Sequence, residues 1–156
     1  LSCFGKAIAN GMPLAALVGR AELMERNSEL FYSLTAAGEA LSLAACNEAL
    51  KKYNQPEFSK NLNDKGKMLV NKLTLSIKEV GLSKIISIQG MNSRPIIYTN
   101  HSNAGKAVTK MAIKMAQRGF LYNSSIFICE SHSMRDISEF CTAFAESLKD
   151  IKEDLI

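Results

Sequence analysis

A chain of 156 residues with 47% hydrophobic and 22% charged residues is long enough to bury a real core, as one ordinary domain or two small ones. Its net charge of +4 comes from lysines scattered among glutamates and aspartates, with no basic block interleaved with aromatics, which argues against a nucleic-acid groove. No apolar run approaches the roughly 20 residues needed to cross a bilayer, and residues 1–20 lack the charged segment and unbroken apolar stretch of a signal peptide, so no membrane partner is expected.

Residues 1–20 carry Gly5-Lys6, a turn at Asn10-Gly11-Met12-Pro13, and a small apolar strand over 15–18. A short polar helix is predicted over 20–27, followed by a Ser-, Thr- and Gly-rich loop over 28–38 with the aromatic pair Phe31-Tyr32. Residues 39–53 form a helix apolar on most of its circumference, a breadth that indicates burial between layers or at a subunit interface. Asn54-Gln55-Pro56 ends it, because the residue before a proline disfavours helix.

Composition then changes. Residues 57–80 predict an amphipathic helix with Phe58, Leu62, Leu69, Leu73, Ile77 and Val80 on one stripe, capped by Gly81. Two β-rich runs, 85–88 and 95–98, flank a turn at 90–93. A helix over 103–118 turns Val108, Met111, Ala112 and Met115 inward and stops at Gly119. A third strand is expected over 125–129, and Ser133-Met134-Arg135-Asp136 reads as a capping box opening a last helix. From Pro56 on, the order helix, strand, strand, helix, strand, helix fits a small α+β layer with a mostly antiparallel sheet.

Cys3, Cys46, Cys129 and Cys141 are widely spaced, with no C-x-x-C pair. That spacing argues against a zinc site or a disulfide framework, so no metal is expected; the cysteines read as four small buried hydrophobes of a protein from a reducing cytosol.

Lys6 is the candidate for chemistry. A lysine attacks an aldehyde only as the neutral amine, which desolvation or nearby positive charge favours. Ala7, Ile8 and Ala9 are expected to supply a dry setting, and Gly5 a backbone that approaches closely and takes positive φ. Taken alone, a lysine after a glycine is a solvated surface charge. The spacing says more: Gly-Lys, three residues, Asn-Gly, one residue, Pro, then an apolar strand ending in Gly19-Arg20. This stretch resembles the lysine segment of class-III pyridoxal-phosphate (PLP) aminotransferases, the group that includes glutamate-1-semialdehyde aminomutase. The run Thr35-Ala36-Ala37-Gly38-Glu39, leading into Ala40-Leu41-Ser42-Leu43-Ala44-Ala45, looks like the aminomutase branch.

The resemblance implies an α/β fold of the type I PLP-transferase class. Residues 1–55 would be the end of the large PLP-binding domain and residues 56–156 a small α+β domain. It implies that Lys6 is the catalytic, cofactor-binding Schiff-base lysine. Thr35 would be a cofactor-binding residue that contacts the phosphate of the neighbouring subunit, helped by the free N–H groups and dipole of the helix behind it. It further implies a homodimer and an amino acid or amino-aldehyde as substrate, while the cytoplasmic setting rests on the cysteine usage above. In the family, the phosphate-binding Gly/Ser loop, the ring-stacking aromatic and the Asp that pairs with the pyridine nitrogen precede the lysine. Because Leu1 opens the sequence in mid-motif, the chain reads as the C-terminal piece of a longer protein, inactive by itself. The alternative is a non-catalytic α/β interaction domain with an incidental lysine.

Three further residues carry weaker expectations. His132 either lines a substrate side or caps the last helix, Arg94 either holds a carboxylate through its planar fork or is a surface arginine, and His101 lies solvated in a polar turn.

Overall fold

Two antiparallel ribbons and five α-helices make up the computed structural model, which describes residues 1–31 and 34–155, with Asp154 described by its backbone alone. Tyr32, of the expected aromatic pair, and Ser33 lie outside the described residues. The chain divides into two compact units, Leu1–Phe58 and Ser59–Ile156.

In the first unit, strand β1 (Ser2–Phe4) pairs antiparallel with β2 (Ala16–Val18), placing Cys3 opposite Leu17. Only β2 is visible in the sequence, since β1 is three exposed residues with no alternation to mark it. The predicted polar helix is shorter than expected: α1 (Ala21–Met24) tightens into a 3₁₀ turn at Glu25–Glu29. Helix α2 (Ala40–Tyr53) follows, and its one buried residue is Ser42. Leu41 is 63% exposed, and Leu43 and Leu50 are exposed too, so the leucines of this helix stay largely uncovered by the described residues, while Ala45, Cys46 and Ala49 are half-buried.

The second unit holds the core. Helix α3 (Pro56–Val80) presents Leu69, Leu73, Ile77 and Val80 to it at helical spacing. Gly81, at φ 84°, then closes the helix: its N–H donates to the Lys78 carbonyl, and Leu82 N–H reaches back to the Ile77 carbonyl. This Schellman pair satisfies end carbonyls and buries Leu82 completely. Strands β3 (Ile86–Met91) and β4 (Arg94–Thr99) form a hairpin across Asn92-Ser93, with Ile88 opposite Ile97.

The expected strand over 125–129 is reduced to a single bridge, Ile96 with Ser125. Ile97 N–H donates to the Ser124 carbonyl at 2.8 Å, while Ile126 and Ile128 N–H donate to the carbonyls of Pro95 and Ser93. Pro95 has no N–H to return a bond to the carbonyl of residue 126, so beyond the Ile96–Ser125 bridge the bonds run one way only.

Helix α4 (Ala104–Gln117) buries Ala107, Met111 and Met115, whereas Val108 of the predicted stripe is 37% exposed. Arg118, just past its end, donates to Glu146 at 3.1 Å and Asp150 at 3.0 Å. Both acids lie on α5 (Met134–Asp150), whose Ile137, Cys141, Phe144 and Leu148 complete the core. The predicted capping box is present: Ser133 Oγ accepts from Asp136 N–H at 3.1 Å, and the Asp136 carboxylate accepts from Ser133 N–H at 2.7 Å. The expectation of four buried cysteines is corrected, since Cys141 is buried, Cys46 half-buried, and Cys3 and Cys129 exposed.

Candidate functional site

Lys6 follows directly on β1, in the connection that returns the chain to β2. The backbone there is unusual. Lys6 has φ 54°, and the 3₁₀ turn Lys6–Ala9 ends at Asn10, also left-handed at φ 46° and ψ 51°. Gly11 continues at φ 107°. A left-handed non-glycine residue costs about 1–2 kcal/mol, and such residues persist only where neighbouring structure holds them. The sequence assigned the special conformation to Gly5, but Gly5 is extended at φ −159°, which any residue adopts. A Cβ on Gly5 would meet no atom closer than Leu14 O at 4.0 Å. The strained residue is the lysine itself.

Three kinds of contact hold the turn. Ile8 N–H donates to Gly5 O at 3.3 Å, Asn10 N–H to Ala7 O at 3.1 Å, and Met12 N–H to Ala9 O at 3.1 Å. Ala9 is 1% exposed and anchors the turn against its own unit. The third contact comes from 46 residues away: Tyr53, the last residue of α2, donates its hydroxyl to Ala7 O at 2.5 Å. Tyr53 is itself set against the Phe58 ring, with centroids 5.1 Å apart. The expected dry setting is absent within this unit, where Lys6 and Ala7 are exposed, Ile8 is half-buried and Ala9 alone is buried.

Thr35 is exposed in a turn over residues 35–38 that precedes α2. Ala37 N–H donates to Leu34 O at 2.9 Å, Glu39 N–H to Ala36 O at 3.2 Å, and Gly38 takes φ 75°. The free helix N-terminus expected behind Thr35 is already filled. Glu39 occupies the cap position, and its carboxylate accepts from Leu41 N–H at 2.6 Å, Ser42 N–H at 2.8 Å and Ser42 Oγ at 2.7 Å. The Ser42 hydroxyl first, then these two amides, holds that carboxyl below the usual range for glutamate. Any anion at Thr35 therefore finds the Leu41 and Ser42 amides of α2 already taken.

Lys6 and Thr35 belong to the first unit. The weaker candidates belong to the second, and each has a local partner. His132 does not cap α5; its Nδ1 accepts from Cys129 N–H at 3.3 Å, and Ser133 caps. Arg94 places its guanidinium over the Phe127 ring, 4.9 Å from the centroid. His101 Nδ1 accepts from Asn103 N–H at 3.1 Å within its turn. Two features escaped the sequence reading. The Glu39 cap was legible as an acid one residue before a helix start, whereas no local signal links Tyr53 to residue 7.

The geometry has known counterparts. A family model for class-III aminotransferases matches residues 1–124. Glutamate-1-semialdehyde 2,1-aminomutase of Campylobacter fetus is 32% identical, over 94% of this chain and 38% of its own length. The aminomutase of Clostridium novyi is 28% identical, over 97% of this chain and 39% of its own. Among solved structures, the PLP internal aldimine form of the FumI protein of Sphingopyxis sp. MTA144 superimposes with a TM-score of 0.88 at 21% identity, covering 97% of this chain and 37% of that one. An omega-transaminase from Sphaerobacter thermophilus superimposes at 0.85 and 20% identity, covering 95% and 38%. This chain thus shares the α/β fold of those two structures and spans 38% of the length of its Campylobacter relative. With the family model matching most of its length, the chain belongs to the class-III aminotransferase family.

Proposed function

We propose that this chain is the lysine-bearing part of a PLP-dependent aminotransferase or aminomutase, with Lys6 as the lysine that binds the cofactor. The observation that carries the reading is the left-handed Lys6 on a turn pinned from three directions, within a chain of this family. The compact units Leu1–Phe58 and Ser59–Ile156 support assigning residues 1–55 to the end of the large PLP-binding domain and 56–156 to the small domain. The similarity to glutamate-1-semialdehyde aminomutases supports an amino acid or amino-aldehyde as substrate, and the family supports a homodimer. Among the described residues no helix is long and apolar enough to cross a membrane, in keeping with the cytoplasmic setting proposed here.

The residues present fit the cofactor. Lys6 brings a primary amine on a fixed turn for an aldehyde, and Thr35 an exposed hydroxyl in a tight turn for a phosphate oxygen. When bound, PLP supplies a carbonyl for the amine and a ring that withdraws electrons from the reacting carbon. Lys6 would hold the cofactor covalently through Nζ and, once displaced by the incoming amine, take up and return the proton at the substrate α-carbon. Thr35 would donate its hydroxyl to a phosphate oxygen. Water exclusion around Lys6 is not provided by its own unit, where Lys6 and Ala7 lie open. The 156-residue chain alone is therefore expected to turn over amino donors poorly or not at all.

The test is subtraction. After incubation with PLP and borohydride, wild type should retain one more equivalent of covalent pyridoxyl than Lys6→Ala, with no amino-donor turnover by either. Equal incorporation in the two proteins would instead favour an interaction domain with an incidental lysine, and robust turnover by the isolated chain would contradict its proposed incompleteness.

A further inference from the structure

We infer that Tyr53 is a positioning residue for Lys6: its hydroxyl latches the turn that holds the lysine in its left-handed conformation. The inference rests on the reading of Lys6 as the cofactor lysine for its functional meaning, but not for its geometry.

Besides its three backbone hydrogen bonds and the burial of Ala9, the turn has little else to hold it. Gly5, before the lysine, is extended, and a Cβ there would meet nothing nearer than Leu14 O at 4.0 Å. The Lys6 side chain is exposed and Ala7 is exposed, so side-chain burial near Lys6 does not fix the backbone; burial enters only at Ala9. The Ala7 carbonyl is where the contacts converge. It accepts from Asn10 N–H, which closes the 3₁₀ turn, and from Tyr53 Oη at 2.5 Å, which ties that turn to the end of α2. The Ala7–Ile8 peptide plane, its oxygen held twice, has little freedom to rotate, which restrains ψ of Ala7 and φ of Ile8 and so fixes the residue onto which Lys6 must join. Tyr53 is in turn held by the final turn of α2 and by its ring contact with Phe58. The path from Phe58 through Tyr53 and Ala7 to Lys6 lies wholly within the first unit.

A latch of this kind decides where the amine points more than whether the unit folds. Tyr53 is half-buried, and its ring contact with Phe58 survives removal of the hydroxyl. Tyr53→Phe therefore separates positioning from packing. Two readouts on the full 156-residue chain test the inference. The first is the intraresidue HN–Hα NOE of Lys6, strong at positive φ. The second is the ratio of pyridoxyl label on Lys6 to that on the exposed Lys78 after PLP and borohydride. In Tyr53→Phe the NOE should weaken and the ratio fall by about two- to tenfold, the range for loss of one net hydrogen bond. Replacing Tyr53 by 4-aminophenylalanine, which keeps the ring and a donor, should restore both. An unchanged NOE and ratio in Tyr53→Phe would overturn the inference, as would failure of the donor-bearing variant to differ from Phe. If wild-type Lys6 shows no labelling preference over Lys78, the cofactor reading of Lys6 fails, and the NOE alone still decides for or against the latch.

Discussion

Gly66, midway along α3, lies directly against the main-chain carbonyl of Asn92 in the β3–β4 turn, and a Cβ there would collide with it. The same turn is held from the side chains as well, since Asn92 Nδ2 donates to Asn63 Oδ1 at 3.0 Å. Helix and hairpin thus meet backbone to backbone, which only glycine permits. Gly66→Ala would gain about 1 kcal/mol of helix propensity in an open site, but the neighbour here is backbone and cannot step aside. We expect a net loss of about 1–3 kcal/mol in urea unfolding. A neutral or stabilising result would show that the hairpin is free to move off the helix.

The two leucine-rich surfaces should respond oppositely. Leu73 is fully buried in the second unit, and Leu41 of α2 is 63% exposed. Leu73→Ala is expected to cost about 2–5 kcal/mol, and Leu41→Ala to stay within about 0.5 kcal/mol. A large cost at Leu41 in the monomeric chain would mean that α2 is covered after all.

The cap of α5 predicts a pH dependence with a definite sign. The Ser133 hydroxyl and then its amide hold the Asp136 carboxyl below the usual aspartate range, with the charges of His132 and Arg135 acting in the same direction. Because the folded value lies below the unfolded one, Asp136 contributes stability at neutral pH that is lost as pH falls through the folded value. Glu39 at the cap of α2 acts in the same sense. Asp136→Asn should therefore lower stability at neutral and alkaline pH and flatten the acid side of the curve, with the slope of the alkaline side unchanged. Ser133→Ala should cost about 1 kcal/mol at neutral pH. An acid limb as steep in Asp136→Asn as in wild type would contradict this account of the cap.

Thiol chemistry offers a further check. Cys141 is buried, and that burial pushes its thiol up to about 11, while Cys3 and Cys129 are exposed. A thiol reagent at neutral pH should modify Cys3 and Cys129 quickly and Cys141 only after denaturant is added. Modification of Cys141 at the same rate as the exposed pair would place α5 away from the core.

The sequence carried most of the second unit and less of the first, for a physical reason. Helices α3 and α5 are amphipathic and self-contained, so spacing alone marks the buried faces at Leu69, Leu73 and Ile77 and at Ile137, Phe144 and Leu148. Local chemistry at Gly81 and Ser133 marks their ends. The third strand was over-read because β-rich composition over 125–129 says nothing of Pro95, the partner that cannot return a hydrogen bond. Around Lys6 the residue pattern named the lysine, but the strain was assigned to Gly5, since glycine is the usual bearer of positive φ. Tyr53 was invisible, because a hydroxyl meeting a carbonyl 46 residues away leaves no periodic trace.

The central claim is that Lys6 is the cofactor lysine, and peptide mapping after PLP and borohydride tests it most directly. The account predicts that pyridoxyl is concentrated on the peptide carrying Lys6, above every other lysine of the chain. Label spread evenly over the exposed lysines, with Lys6 no richer than Lys78, would contradict it.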